Sequence, residues 1–198
     1  MKSIYIYGAS GHGLVVADVA RSCGYDTVLW IDDGDNAHPS FEEVDKTIYS
    51  PIVIGIGDNK IRSQIFHKVL QSNMKLTTLI HPSAIVSQSA TIGQGTVVMP
   101  NVVINAESKI GNACILNSSS VIEHENMIGD FVHISPNVAL SGNVTVLDYV
   151  HIGVGSSVIQ GVTIGENSII GIGSVVLRDI GSAQIAYGNP CVEKGKKT

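Results

Sequence analysis

The sequence predicts a two-part chain, an α/β unit with a small parallel sheet followed from Ile80 by an all-β coiled solenoid. Two observations predict it. Every sixth residue from Ile80 through Val86, Ile92 and Val98 to Val176 is aliphatic without a miss, and ahead of that frame short apolar runs alternate with helical patterns. A period of six suits neither a helix nor a flat strand pair. It suits a three-sided coil in which each hexad makes one short side and one corner, so that three hexads complete a rung stacked ~4.8 Å from the next.

Taken in order, Ser3 to Tyr7 reads as a buried strand, Gly8-Ala9-Ser10-Gly11-His12-Gly13 as a glycine-rich turn, and Leu14, Val15, Ala17, Val19 and Ala20 as the apolar face of a helix. Val28 to Ile31 forms a second strand ending in Asp32-Asp33. Pro51 to Ile56 forms a third, ending in Gly57-Asp58-Asn59 before an amphipathic helix with Ile61, Ile65, Phe66, Val69 and Leu70. Strands alternating with helices imply a parallel sheet, whose ligands sit beyond the carboxyl ends of the strands. That rule brings Ser10, Gly11, His12, Gly13, Asp32, Asp33, Gly57 and Asp58 to one crevice. Glycines opening a helix let phosphates reach free N–H groups, which points to a nucleotide. The G-x-x-G-x-G spacing departs from the dinucleotide fingerprint and argues against NAD. A tight turn without ligand is the alternative reading of the loop; Asp58 reads equally as a helix N-cap, and Asp32-Asp33 as a strand end in solvent.

In the solenoid, the frame residue i and residue i+4 point inward, i+1 and i+5 point outward, and i+2 with i+3 turn the corner. Position i+4 is small or β-branched from Ala84 to Ser174, Asn126 being the single exception. The same hexad puts His124 and Glu125 in a corner. A corner histidine beside a carboxylate is either a solvated surface group or a general base whose basicity and tautomer the carboxylate controls, which suits an amine attacking a thioester. His133 is outward, and His151 lies directly above it one rung later. Such a pair could belong to a three-histidine zinc site, but no third ligand follows the pattern, and no metal is expected. Between His124 and His133 lies a full side of the prism, up to roughly 20 Å at ~3.3 Å per residue. If both serve one site, the chain must oligomerise.

The net charge of −5 argues against nucleic-acid affinity. Cys23, Cys114 and Cys191 lack metal spacing and read as reduced thiols of a cytoplasmic protein; the amino terminus lacks a signal-peptide pattern and no apolar run is long enough to span a membrane.

The repeat resembles the hexapeptide-repeat, left-handed parallel β-helix acyltransferases. More closely, the whole chain resembles the UDP-4-amino-sugar N-acetyltransferases of the bacillosamine pathway type, and more distantly the sialic acid O-acetyltransferases. The carriers are the segments Tyr5 to Gly13, Asp32-Asp33, Ile56 to Asn59, Asn117 through Glu125, Gly142-Asn143-Val144 and Gly188-Asn189-Pro190. The resemblance implies a Rossmann-like nucleotide-sugar-binding domain over 1–79, a β-helix acetyltransferase domain over 80–177 and a tail over 178–198. It further implies a homotrimer with active sites between subunits, UDP in the amino-terminal crevice and acetyl-CoA between neighbouring coils. His124 becomes the general base, Glu125 its enhancer and Asn117 an orienting group, with His133, Gly142, Val154 and Ile172 along acetyl-CoA. Transfer is direct, to the C4 amine of a UDP-linked 4-amino-4,6-dideoxy sugar, since Cys114 points inward and cannot serve as nucleophile. The chain departs from the pattern at Asp58 and in Cys191-Val192 after Pro190; Lys194, Lys196 and Lys197 either meet CoA phosphates or lie in a solvated tail. The rival readings are a sugar O-acetyltransferase and a nucleotide-sugar-binding structural solenoid.

Overall fold

The computed structural model describes residues 2–46 and 51–197; Met1 and Thr198, the outermost residues of the expected segments, lie outside it. The amino-terminal unit runs β1 (Ser3–Tyr7), α1 (His12–Ser22), β2 (Thr27–Ile31), β3 (Pro51–Ile54), α2 (Asn59–Leu70) and β4 (Lys75–Leu76). All pairings are parallel, in the order β2-β1-β3-β4. Strand alternation sends Ile4 and Ile6 toward Val16, Ala17 and Ala20 of α1, whereas Tyr7, Ile52 and Ile54 pack with Phe66 and Val69 of α2. The two helices therefore cover opposite faces of the sheet. β3 stops at Ile54, two residues short of the expected Ile56, because the chain leaves the sheet at Gly55, where a Cβ would lie 2.7 Å from the Cα of Gly13.

Among the described residues, two-residue strands then recur every six residues from β5 (Leu79–Ile80) to β21 (Val175–Val176). They stack as three parallel faces in an eighteen-residue register, as in Lys109↔Met127, Val121↔Ala139 and His133↔His151. The first face carries Ile115–Leu116 and His133–Ile134, the second Val121–Ile122 and the third Met127–Ile128. Inward positions are buried from Val98 onward, but Ile80 is 40% exposed because it opens the first rung.

From Gly95 to Gly173 each corner places residue i+3 in the left-handed region, including Glu125 at φ 60°, Phe131 at 59° and Tyr149 at 59°. Bulky side chains rarely occupy it. Here the conformation aims the backbone N–H at the corner of the preceding rung, as from Glu125 to the Ala106 carbonyl at 2.9 Å and from Asn143 to the His124 carbonyl at 2.9 Å.

One edge of the prism, the corners at Gly95, Ala113, Phe131, Tyr149 and Asn167, receives α2. Phe66 meets Phe131 edge-on at 5.4 Å, and Phe131 stacks on Tyr149 at 5.1 Å. Between them Arg62 is 1% exposed. Its guanidinium donates to the carbonyls of Ala113, Ile56, Gly57 and Phe131 and to Asn59 Oδ1 at 2.7–3.1 Å. Burial lowers its pKa to about 10, so it stays charged at neutral pH.

The expected tail carries a hairpin whose last strand exposes Glu193 to Lys196 to solvent. β22 (Gln184–Tyr187) adds in parallel to the first face beside Ile169–Ile170, and β23 (Val192–Lys196) returns antiparallel to it. Lys197 then donates to Asn167 Oδ1 at 2.9 Å.

Candidate active site

The corner between the second and third faces projects His124 and Glu125 into solvent. His124 Nδ1 lies 2.9 Å from Glu125 Oε2. A proton on Nδ1 directed at the carboxylate leaves the Nε2 lone pair free, the arrangement a general base requires. The ring occupies the space over Gly142, one rung on: a Cβ there would fall 2.4 Å from its Cε1 and 2.5 Å from its Nε2.

Asn117 and His133 sit together elsewhere, on the first face. Asn117 Nδ2 donates to His133 Nε2 at 3.2 Å, and the His133 ring stacks on His151 at 4.5 Å, 5° from parallel. Ser135 Oγ lies 2.9 Å from His151 Nε2. His12, at the start of α1, approaches His133 to 6.3 Å between ring centres. His12 Nε2 and His133 Nδ1 are buried without a hydrogen-bond partner. Burial, then the positive Arg62, lowers the His12 pKa to about 4; burial, then His151, Arg62 and His12, lowers that of His133 to about 2. His151 moves down for the same leading reason. No group of three or more His, Cys, Asp or Glu among the described residues could hold a metal ion.

The residues expected in one site thus fall on two parts of the prism. His124, Glu125 and Gly142 share one edge, whereas Asn117 and His133 lie on the first face, approached by His12 from α1, with Val154 and Ile172 exposed at the edge where that face ends. Sequence reasoning placed His12 in the amino-terminal crevice with the other loop residues and missed its approach to His133, since only the fold joins them. Cys114 is fully inward, and burial raises its thiol to about 12.

At the carboxyl ends of β1 and β3 lies a crevice of about 350 Å³ lined by Tyr7, Gly8, Asp32, Asp33, Gly34, Ile56, Ile61, Gln64, Ile65 and Lys68. Asp32 accepts from the amides of Ala9 at 2.8 Å and Gly34 at 2.9 Å, which hold its pKa down. Asp33 accepts from the Tyr7 hydroxyl, the Phe41 amide and Lys68; burial opposes its ionisation, but these donors lower its pKa. Tyr7 is raised to about 12 by burial and by Asp33. Ser10 to Gly13 are not among the residues that line this crevice; their loop follows Gly8, and Gly11, at φ 44°, precedes α1 without a side-chain cap, while the Gly13 amide donates to the Ser10 carbonyl at 2.8 Å. Gly13 also has a packing reason, since a Cβ there would lie 1.9 Å from the Gly8 carbonyl. Of the expected residues only Asp32 and Asp33 line the crevice; Gly57 and Asp58 line a separate cavity with Lys60, His151 and Lys197, and the Asp58 carboxylate caps α2 by accepting from the Ile61 amide at 2.9 Å.

Residues 3–69 match the model of the PglD N-terminal domain, and residues 89–124 that of the bacterial transferase hexapeptide of six repeats. The chain is 40% identical over 112 residues to UDP-N-acetylbacillosamine N-acetyltransferase of Bacillus subtilis (strain 168), a match spanning 49% of this chain and about half, 51%, of that enzyme. It superimposes with a TM-score of 0.93, at 35% identity and 98% coverage of both chains, on PerB from Caulobacter crescentus, solved with CoA and GDP-perosamine. The acetyltransferase domain of PglB from Neisseria gonorrhoeae FA1090, solved with acetyl coenzyme A, gives a TM-score of 0.90 at 34% identity, covering 98% of this chain and 99% of that one.

Proposed function

Because the chain belongs to the PglD-like, hexapeptide-repeat sugar N-acetyltransferases, we propose that it acetylates the C4 amine of a UDP-linked 4-amino-4,6-dideoxy sugar from acetyl-CoA. The observation that carries this is the exposed His124–Glu125 pair with Nε2 unengaged above Gly142. The amine attacks the thioester carbonyl, and His124 Nε2 takes the amine's proton as the C–N bond forms. Backbone N–H groups stabilise the oxyanion; the C–S bond then breaks, and His124 returns the proton to the departing sulfur. No acetyl-enzyme forms.

The site lies between subunits of a homotrimer. Asn117 and His133 on the first face of one chain complete the site around His124 of the next, because a single chain holds them on opposite parts of the prism. Asp32, Asp33 and the Ser10-to-Gly13 loop bind the nucleotide, and Val154 and Ile172 flank the pantetheine arm. A GDP-linked sugar is the second reading, supported by the full-length likeness to PerB.

The test is CoA release from acetyl-CoA with UDP- and GDP-linked 4-amino sugars and free sialic acid, in wild type and His124→Ala. Release with the UDP sugar, lost in the variant, is expected. Release with the GDP sugar alone selects the second reading, and release with sialic acid alone or retained activity in His124→Ala overturns the proposal.

A further inference from the structure

Every inward i+4 slot from Ala84 to Ser174 holds a small or β-branched residue except one, and that exception lies two residues beyond His124. Asn126 is fully buried. An amide in an apolar interior is unfavourable unless its donors and acceptor are all used. Here they are. Asn126 Nδ2 donates to the Glu123 carbonyl at 2.6 Å and to the Ser141 carbonyl at 3.1 Å, while Oδ1 accepts from the Val144 amide at 2.8 Å.

These partners bracket two corners. Glu123 and Asn126 flank His124 and Glu125; Ser141 and Val144 flank Gly142, over which the His124 ring lies. The hydroxyls of Thr96, Ser156 and Ser168 tie their corners only to the following rung, at 2.9, 3.0 and 2.7 Å. Ser174 donates only within its own corner, to the Gly171 carbonyl at 2.7 Å, and accepts from the Gly188 amide at 3.2 Å. The Asn126 side chain donates to both corners at once. Valine occupies the equivalent slot at 132, 138, 144, 150 and 162, so the coil closes without any polar group there.

We infer that Asn126 is a positioning residue for the acetyl-transfer reaction. It locks the corner carrying His124 to the corner supporting it and fixes the imidazole above Gly142. This rests on the reading of His124 as the base.

The experiment compares Asn126→Val, Asn126→Ser, Ser168→Val and His124→Ala in full-length protein, measuring kcat, both KM values and Tm. Valine matches neighbouring slots and should leave Tm and both KM values near wild type while lowering kcat about 10- to 100-fold, the scale for a small displacement of a reacting group. Serine keeps a hydroxyl that can bind one carbonyl, as Ser156 and Ser174 do, and should lie between valine and wild type. Ser168→Val should keep wild-type kcat. Wild-type kcat in Asn126→Val, or in Asn126→Ser should the valine variant not fold, overturns the inference while leaving the base intact. Activity retained in His124→Ala removes the base itself, and the inference with it.

Discussion

The ring of His124 fills the space that a side chain on Gly142 would occupy, with Cε1 and Nε2 2.4 and 2.5 Å from the absent Cβ. Gly142 is not in the left-handed region, so its backbone accepts alanine. Only the imidazole has to move. Gly142→Ala should therefore fold with a near-normal Tm and lose about 100-fold in kcat, since displacing a reacting group by ~1 Å is felt on that scale. Steady-state kinetics beside a melting curve checks this; unchanged kcat would show that the ring has room elsewhere.

Sharing of the site between chains is tested by complementation. His124→Ala and Asn117→Ala should each be inactive alone. Unfolded together and reassembled in equal amounts, they should regain roughly a quarter of wild-type activity, because about that share of interfaces pairs an intact His124 with an intact Asn117. No recovery would mean that one chain supplies both residues.

The buried histidines make stability acid-sensitive. His12 titrates at about 4 and His133 at about 2 in the folded chain, both below the ~6.5 of an unfolded histidine. Between these values the unfolded chain binds more protons, so stability is complete above about pH 6.5 and declines as pH falls, by up to ~1.4 kcal/mol per pH unit for each histidine. Urea unfolding at pH 7, 6 and 5 should show this decline, and His133→Asn should flatten it by about one proton. An unchanged slope would count against a neutral His133.

Two aspartates should behave oppositely. Asp58→Ala removes the cap of α2, costing about 1 kcal/mol of stability, and leaves the KM for nucleotide sugar unchanged. Asp33→Ala should raise that KM about tenfold or more, the loss for a charge-assisted hydrogen bond, with the KM for acetyl-CoA unaltered. A matched set of KM values and denaturation midpoints separates the two roles.

The solenoid was legible because its constraint is local: an inward residue every sixth position shows in the letters alone, and an inward asparagine beside a corner histidine stands out against it. Arg62 was not legible. In an amphipathic helix it reads as solvent-facing, and its burial depends on carbonyls of Ala113 and Phe131 that are 51 and 69 residues away. The left-handed Phe131 and Tyr149 were hidden for a related reason, since their side chains disfavour that conformation and only the bonds between rungs hold it. The cluster of His12 with His133 and the hairpin of β22 and β23 likewise depend on contacts made once the coil exists.

The eighteen-residue register makes this half of the chain behave like a text with a reading frame. Deleting one residue between His133 and His151 would turn each later inward side chain toward solvent and each outward one toward the axis, so a single loss is read through to β21. Whole rungs can be added or removed in phase, and loose residues can be absorbed only where a corner bulges outward. Growth beyond Ile152 would lengthen the coil while leaving His124 above Gly142, so its length and its chemistry are free to change independently.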